Sequence, residues 1–234
     1  MPAARTSPLS LEERAHLSQL FEHDFHSQLG RLSEIAISGH NGQKSDLAEA
    51  LTTHLRHVLE SYNLLASTPE KFYLSEVDGS YFNQGIETLR RMMPRKAGQI
   101  TAAVAKLPKF DTSPGMVYVT MCNLAKNAFD AAPDASVQFT VDIFSGDVPD
   151  IVYCPDGAVS GGTFVRIAAH DNGPGFSLTR PLASYLELGA STHENGGFGL
   201  FFVKMVAKYL QAPLAIHSEP GNTSVVLYHP FNLG

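Results

Sequence analysis

Asn123-Leu124-Ala125-Lys126-Asn127-Ala128-Phe129-Asp130-Ala131 lies within residues 115–132, a stretch that reads as a strong helix. On that helix Asn123 and Asn127 share one face, four residues apart. A side-chain amide oxygen is a hard, neutral donor that suits Mg2+. A polar stripe on a surface helix is the plainer reading of the same residues. Two later stretches bear on the choice. His170-Asp171-Asn172-Gly173-Pro174-Gly175-Phe176 follows the strand-like run Phe164-Val165-Arg166-Ile167-Ala168. A carboxylate at a strand end can accept a hydrogen bond from the adenine amino group, and the two glycines let the backbone turn sharply beside the base. Asn195-Gly196-Gly197-Phe198-Gly199-Leu200 leads into a helix over 198–210. Glycines entering a helix N-terminus expose N–H groups to an anion, assisted by the helix dipole. Taken singly, the second stretch is a tight turn and the third a loop.

Outward from these motifs, strand-like runs fall at 136–144 and 163–170, with a further candidate at 98–105. Residues 84–94 look helical, and 213–218 with 223–229 form a closing hairpin around Pro220-Gly221-Asn222. The elements do not keep a strict βαβ period. The expected architecture is α+β, a mixed sheet with helices on one face.

Residues 10–66 are of another character. Ser10 and Glu13 make an S-x-x-E capping box. Leu17, Phe21, Phe25, Leu29, Leu32 and Ile35 follow as a helical stripe. Gly39-His40-Asn41-Gly42 reads as a turn. Asp46 with Glu49 restarts a helix, continued by Leu47, Leu51, Leu55, Val58, Tyr62 and Leu65. Two long helices joined by a short loop pack antiparallel, and a hairpin this size cannot bury its stripe alone. A two-fold dimer giving a four-helix bundle is the economical solution. Ser67-Thr68-Pro69-Glu70 marks the boundary, giving a hairpin over 8–67 and a second domain over 68–234.

The order and spacing of the motifs now matter. Asn127 precedes Asp171 by 44 residues, and Gly197 follows 26 later. N-x-x-x-N-A, D-N-G-P-G-F and G-F-G-L resemble the N, G1 and G2 boxes of the GHKL ATPase superfamily over roughly residues 110–230. The resemblance implies a Bergerat-type α/β sandwich binding ATP with Mg2+. It makes Asn127 the metal ligand and Asp171 the partner of the adenine amine. Gly173 and Gly175 would shape the adenine pocket, and Gly197 and Gly199 would line the triphosphate end. Asn123, Lys126, Thr192 and Leu200 complete the implied nucleotide contacts. A lid from about Ser177 to Asn195 would offer Arg180 as its only firm cation. Asn123 stands where other GHKL ATPases keep a water-activating glutamate, which argues against simple ATP hydrolysis. Asp130 stands where many members carry a basic residue.

Before this domain lies His23-Asp24-Phe25-His26-Ser27-Gln28-Leu29, which resembles the histidine-kinase H box. At 100° per residue His23 points away from Phe21 and Phe25. Neutral imidazole is a good nucleophile near neutral pH, and Asp24 can take its proton or orient the ring. Ser27 lies one turn on and matches the position associated with the reverse phosphatase step. His26 is the rival acceptor but has no following acidic residue. His54, His57 and His193 read as solvated or capping residues. The two motif sets together resemble a histidine kinase of a two-component system without a sensor domain. That family autophosphorylates a histidine and passes the group to an aspartate on a response-regulator receiver domain. Two alternatives stay open: a histidine phosphotransfer protein with a degenerate GHKL domain, and a serine kinase of the anti-sigma type.

Composition narrows the classes. The net charge of −6 and the lack of any basic run leave nucleic acid without an electrostatic footprint. No run of apolar residues is long enough to span a membrane, and the first residues have no apolar signal region. Only Cys122 and Cys154 occur, expected as free thiols in a reducing, cytoplasmic compartment. Any sensing outside the cell would fall to a separate sensor protein.

Overall fold

The computed structural model describes residues 10, 12, 13, 15, 18, 43–66, 74–177, 179–187, 190 and 199–231. The elements are α1 (Gln43–Ala66), β1 (Ser75–Val77), α2 (Gly79–Met92), β2 (Ile100–Val104), β3 (Phe110–Thr112), α3 (Pro114–Ala131) and β4 (Val137–Asp147). They continue with β5 (Ile151–Tyr153), β6 (Gly161–Asp171), α4 (Gly199–Leu210), β7 (Leu214–Glu219) and β8 (Asn222–Pro230). The first-helix stripe, the Gly39–Gly42 turn, His23, Asp24, His26, Ser27, Thr192, His193 and Gly197 lie outside the described residues.

Six strands form one mixed sheet in the order β2-β4-β6-β8-β7-β5. The β2–β4 pair is parallel and every other pair antiparallel. Alternation sorts the side chains. Val137, Phe139 and Val141 of β4, Val165, Ile167 and Ala169 of β6, and Val225 and Leu227 of β8 enter the main core. Phe164, Ala168, Val226 and Tyr228 point to the other face and make a smaller cluster with Val148 and Ala215. This is the α+β layout expected from the order of the helical and strand-like runs. Two three-residue strands, β1 and β3, pair outside the main sheet and were not legible in the sequence.

Helix α3 is buried from Gly115 through Cys122 on every side, because it is a middle layer. The sheet lies beneath it and α1 crosses its outer side. Helix α1 buries Ala50, Leu51, His54, Leu55, Val58 and Ser61 at helical spacing. Part of the apolar stripe that was expected to need a dimer thus finds cover within the chain: Leu51 packs with Met92 of α2, and Val58 joins the main core. His54 and His57 correct their expected solvated role. Their rings lie 5.8 and 4.7 Å from the Tyr118 ring, within the α1–α3 contact. The helical period that buries Leu51 and Val58 carries these residues inward too. At the chain's start the capping box forms: the Ser10 N–H donates to Glu13 Oε2 at 2.6 Å, and the Glu13 N–H to Ser10 Oγ at 3.1 Å. Cys122 is buried, Cys154 exposed, and neither is in a disulfide.

Candidate functional site

Asn127 lies in the last turns of α3 and Gly199 opens α4. The two meet. A Cβ at residue 199 would stand 2.7 Å from Asn127 Oδ1 and 3.0 Å from Nδ2, so only glycine admits the amide there. The first described turn of α4 therefore sits beside a hard oxygen donor. Leu200 is half-buried against the main core. Asn123, one turn before Asn127, is half-buried and donates its Nδ2 to the Val119 carbonyl at 3.0 Å. Lys126 and Asp130 are exposed.

Asp171 ends β6 on the sheet face that carries Val165, Ile167 and Ala169, the helix side. Its Oδ1 accepts the Gly173 N–H at 2.9 Å. Burial pushes its carboxyl above the usual carboxylate range, opposed by the Gly173 N–H and by His170. The loop beyond is pinned on both sides. Ser136 N donates to Asn172 Oδ1 at 2.6 Å, Phe176 N to Ser218 Oγ at 2.7 Å, and Gly221 N to the Gly173 carbonyl at 2.8 Å. Gly175 takes φ +78, and a Cβ there would stand 2.9 Å from Ser218 Oγ. Gly173 also lies near Ala132 at the end of α3, which brings this loop to the helix that carries Asn127.

One residue of this site went unread in the sequence. Thr223 pairs directly with Asp171 across β6 and β8, so the two side chains share a face. Thr223 is buried, and its hydroxyl reaches the Glu219 carbonyl at 3.5 Å. Its signal was its parity with Val225 and Leu227, immediately after the Gly221-Asn222 turn.

The segment expected as a lid is described at 177, 179–187 and 190. Leu182–Leu186 forms a short 3-10 turn that buries Leu186. Tyr185 donates to the Ser177 carbonyl at 2.8 Å, and Lys204 of α4 meets Glu187 at 2.8 Å. Arg180, the expected lid cation, is engaged elsewhere. Its guanidinium lies 3.8 Å from the Tyr185 ring centre and donates to the Ala190 carbonyl. A hollow of about 220 Å3 lined by Arg166, His170, His217 and Tyr228 opens on the opposite sheet face, behind Asp171, and Asn127, Asp171, Gly173, Gly175 and Gly199 do not line it.

No protein-family model and no curated protein matches the chain. Solved structures do. Full-length ShkA in complex with AMPPNP is similar at 22% identity and a TM-score of 0.58, over 97% of this chain and 47% of that one. The chain therefore spans about half the length of ShkA. The nucleotide-free catalytic domain of the histidine kinase ThkA aligns at 12% identity and a TM-score of 0.52, over 68% of this chain and 97% of that one. The mycobacterial sensor histidine kinase MprB aligns at 17% identity and a TM-score of 0.50, over 68% and 99%. The chain has the fold of the histidine-kinase catalytic domain.

Proposed function

We propose that this chain is an ATP-dependent protein-histidine kinase. Residues 8–67 form its dimerisation and phosphoacceptor hairpin, and 68–234 its nucleotide-binding domain. The observation that carries the reading is the seat of the Asn127 amide against Gly199, at the opening of α4. A hard oxygen and a helix N-terminus in contact suit a metal-bound polyphosphate. Asp171, held half-buried with Thr223 opposite it, offers a carboxylate to an exocyclic amine.

Asn127 would hold Mg2+, which would neutralise charge on the phosphates. Asp171 accepts from the adenine amine, with Gly173 and Gly175 fixing the loop beside the base. Gly197, Gly199, Leu200, Thr192 and Lys126 line the phosphate end, and Asn123 adds a nucleotide contact one turn before Asn127. His23 is the nucleophile, Asp24 receives or orients its proton, and Ser27 lies one turn away. The phosphoryl group then passes to an aspartate of a receiver domain, and the active unit is a homodimer. The AMPPNP complex of ShkA supports the nucleotide assignment.

Incubation with γ-labelled ATP and Mg2+ tests the reading. Acid-labile, base-stable label that His23→Ala abolishes is the expected result. Label accepted only from a phosphorylated receiver would replace it with the phosphotransfer reading. Acid-stable label passed to a partner's hydroxyl would point to a serine kinase.

A further inference from the structure

The sheet face turned away from the main core carries three rows of side chains set by the strand register. His170, Ser224 and His217 stand side by side on β6, β8 and β7. Ala168, Val226 and Ala215 make the next row, two residues further along each strand. Arg166 and Tyr228 make the third. The middle row is small and buried while the outer rows are long, so a trench lies between them. The outer rows are four residues apart along β6, about 13 Å, and the trench crosses three strands, about 10 Å. Pro149 and Asp150 complete the lining of this hollow of about 220 Å3. Its floor is flat and apolar. Asp171 follows His170 on β6 and leaves the strand on the opposite face, so the hollow is separate from the Asn127–Gly199 end.

The charges around the hollow do not balance. Arg166 is neutralised by Asp142: its Nε donates to Oδ1 at 2.8 Å and its Nη2 to Oδ2 at 2.5 Å. Burial, then Arg166, hold the His170 imidazole below its ordinary value against Asp142 and Asp171, so it is uncharged at neutral pH. His217 Nε2 lies 3.8 Å from the Glu219 carboxylate, which matches any charge it gains. Asp150 is exposed at the mouth and has no ion-pair partner among the described residues. The uncompensated charge is therefore negative, and the Ser224 hydroxyl and the ring nitrogens add acceptors beside it. An anion would meet repulsion here, whereas a flat cation with N–H donors would meet acceptors and an apolar floor. We propose that this hollow binds a small planar organic cation of the amidinium or guanidinium class. Its flat body rests on Ala168, Val226 and Ala215, and its forked N–H groups donate to the Asp150 carboxylate.

Three probes of one shape and different charge test this: benzamidinium, benzamide and benzoate. Each is titrated into the isotope-labelled full chain at neutral pH and low salt, and backbone amide NMR signals are followed. Benzamidinium should shift the signals of Ala168, Ala215 and Val226 saturably, with a millimolar dissociation constant. Benzamide should bind about fivefold more weakly, and benzoate should not saturate. Benzamide or benzoate binding as tightly as benzamidinium would overturn the assignment, as would the absence of any saturable shift at these residues. Asp150→Asn keeps the left-handed backbone, φ +49, which asparagine adopts readily, and removes the charge alone. It should weaken benzamidinium about threefold, and equal affinity in this variant would remove Asp150 from the site. Mg-ATP should leave the probe in place. Competition between the two would put the cation in the nucleotide site and sink the proposal.

Discussion

The side-chain amide of Asn127 fills the space that a Cβ on residue 199 would need, at 2.7 Å from its oxygen. Two segments 72 residues apart thereby share one point, the end of α3 and the opening of α4. Gly199→Ala places a methyl there and displaces the amide. Alanine is otherwise the better helix residue. Mg-ATP affinity should fall at least tenfold while the thermal midpoint stays near wild type. Calorimetric titration beside a thermal melt reads both, and unchanged affinity would separate Asn127 from the nucleotide.

Gly175 carries the backbone conformation of the loop after Asp171. Its φ of +78 and its 2.9 Å approach to Ser218 Oγ oppose any side chain. Gly175→Ala should cost about 1–3 kcal/mol. Ser218→Ala removes the acceptor of the Phe176 N–H and should cost about 1 kcal/mol. Urea denaturation measures both, and a neutral Gly175→Ala would mean that the loop tolerates another conformation.

Thr223 stands opposite Asp171 on the same sheet face. Thr223→Val keeps the β-branched shape and removes the hydroxyl. Adenine-nucleotide affinity should weaken several-fold with the fold intact. An equal affinity for ATP in wild type and variant would confine Thr223 to packing.

Acid should destabilise the protein. Burial lowers the imidazoles of His57, His170 and His229 below their ordinary value; Glu60 opposes this at His57, Arg166 reinforces it at His170, and the Pro230 carbonyl opposes it at His229. The unfolded chain therefore binds protons first as pH falls below about 6.5, and stability declines from there until the folded-state groups titrate. Asp171 has the opposite sign for stability, since burial raises its carboxyl and protonation relieves that cost. Its loss of charge instead weakens adenine binding, at a higher pH than for an ordinary aspartate. Denaturant midpoints at pH 7.5 and 5.5 check the first effect, and an equal or higher midpoint at pH 5.5 would refute it.

The helices and long strands were legible because each carries a sustained hydrophobic period, as in Val137, Phe139 and Val141. The Asn127, Asp171 and Gly199 motifs were legible because they combine a polar group with a backbone requirement. The rest depended on contacts between distant segments. Strands β1 and β3 are three residues each, too short for any period. The burial of His54 and His57 required knowing that α1 crosses α3. Thr223 became visible only through the β6–β8 register, and the engagement of Arg180 only through the fold of residues 182–186.

Calorimetric titration of the full chain with Mg-ATP, alongside Asn127→Asp and Asp171→Asn, bears most directly on the nucleotide site. A saturable binding heat in the wild type, abolished or weakened at least tenfold in both variants, is the predicted result. No heat in the wild type at millimolar nucleotide, or equal affinity in all three, would contradict it.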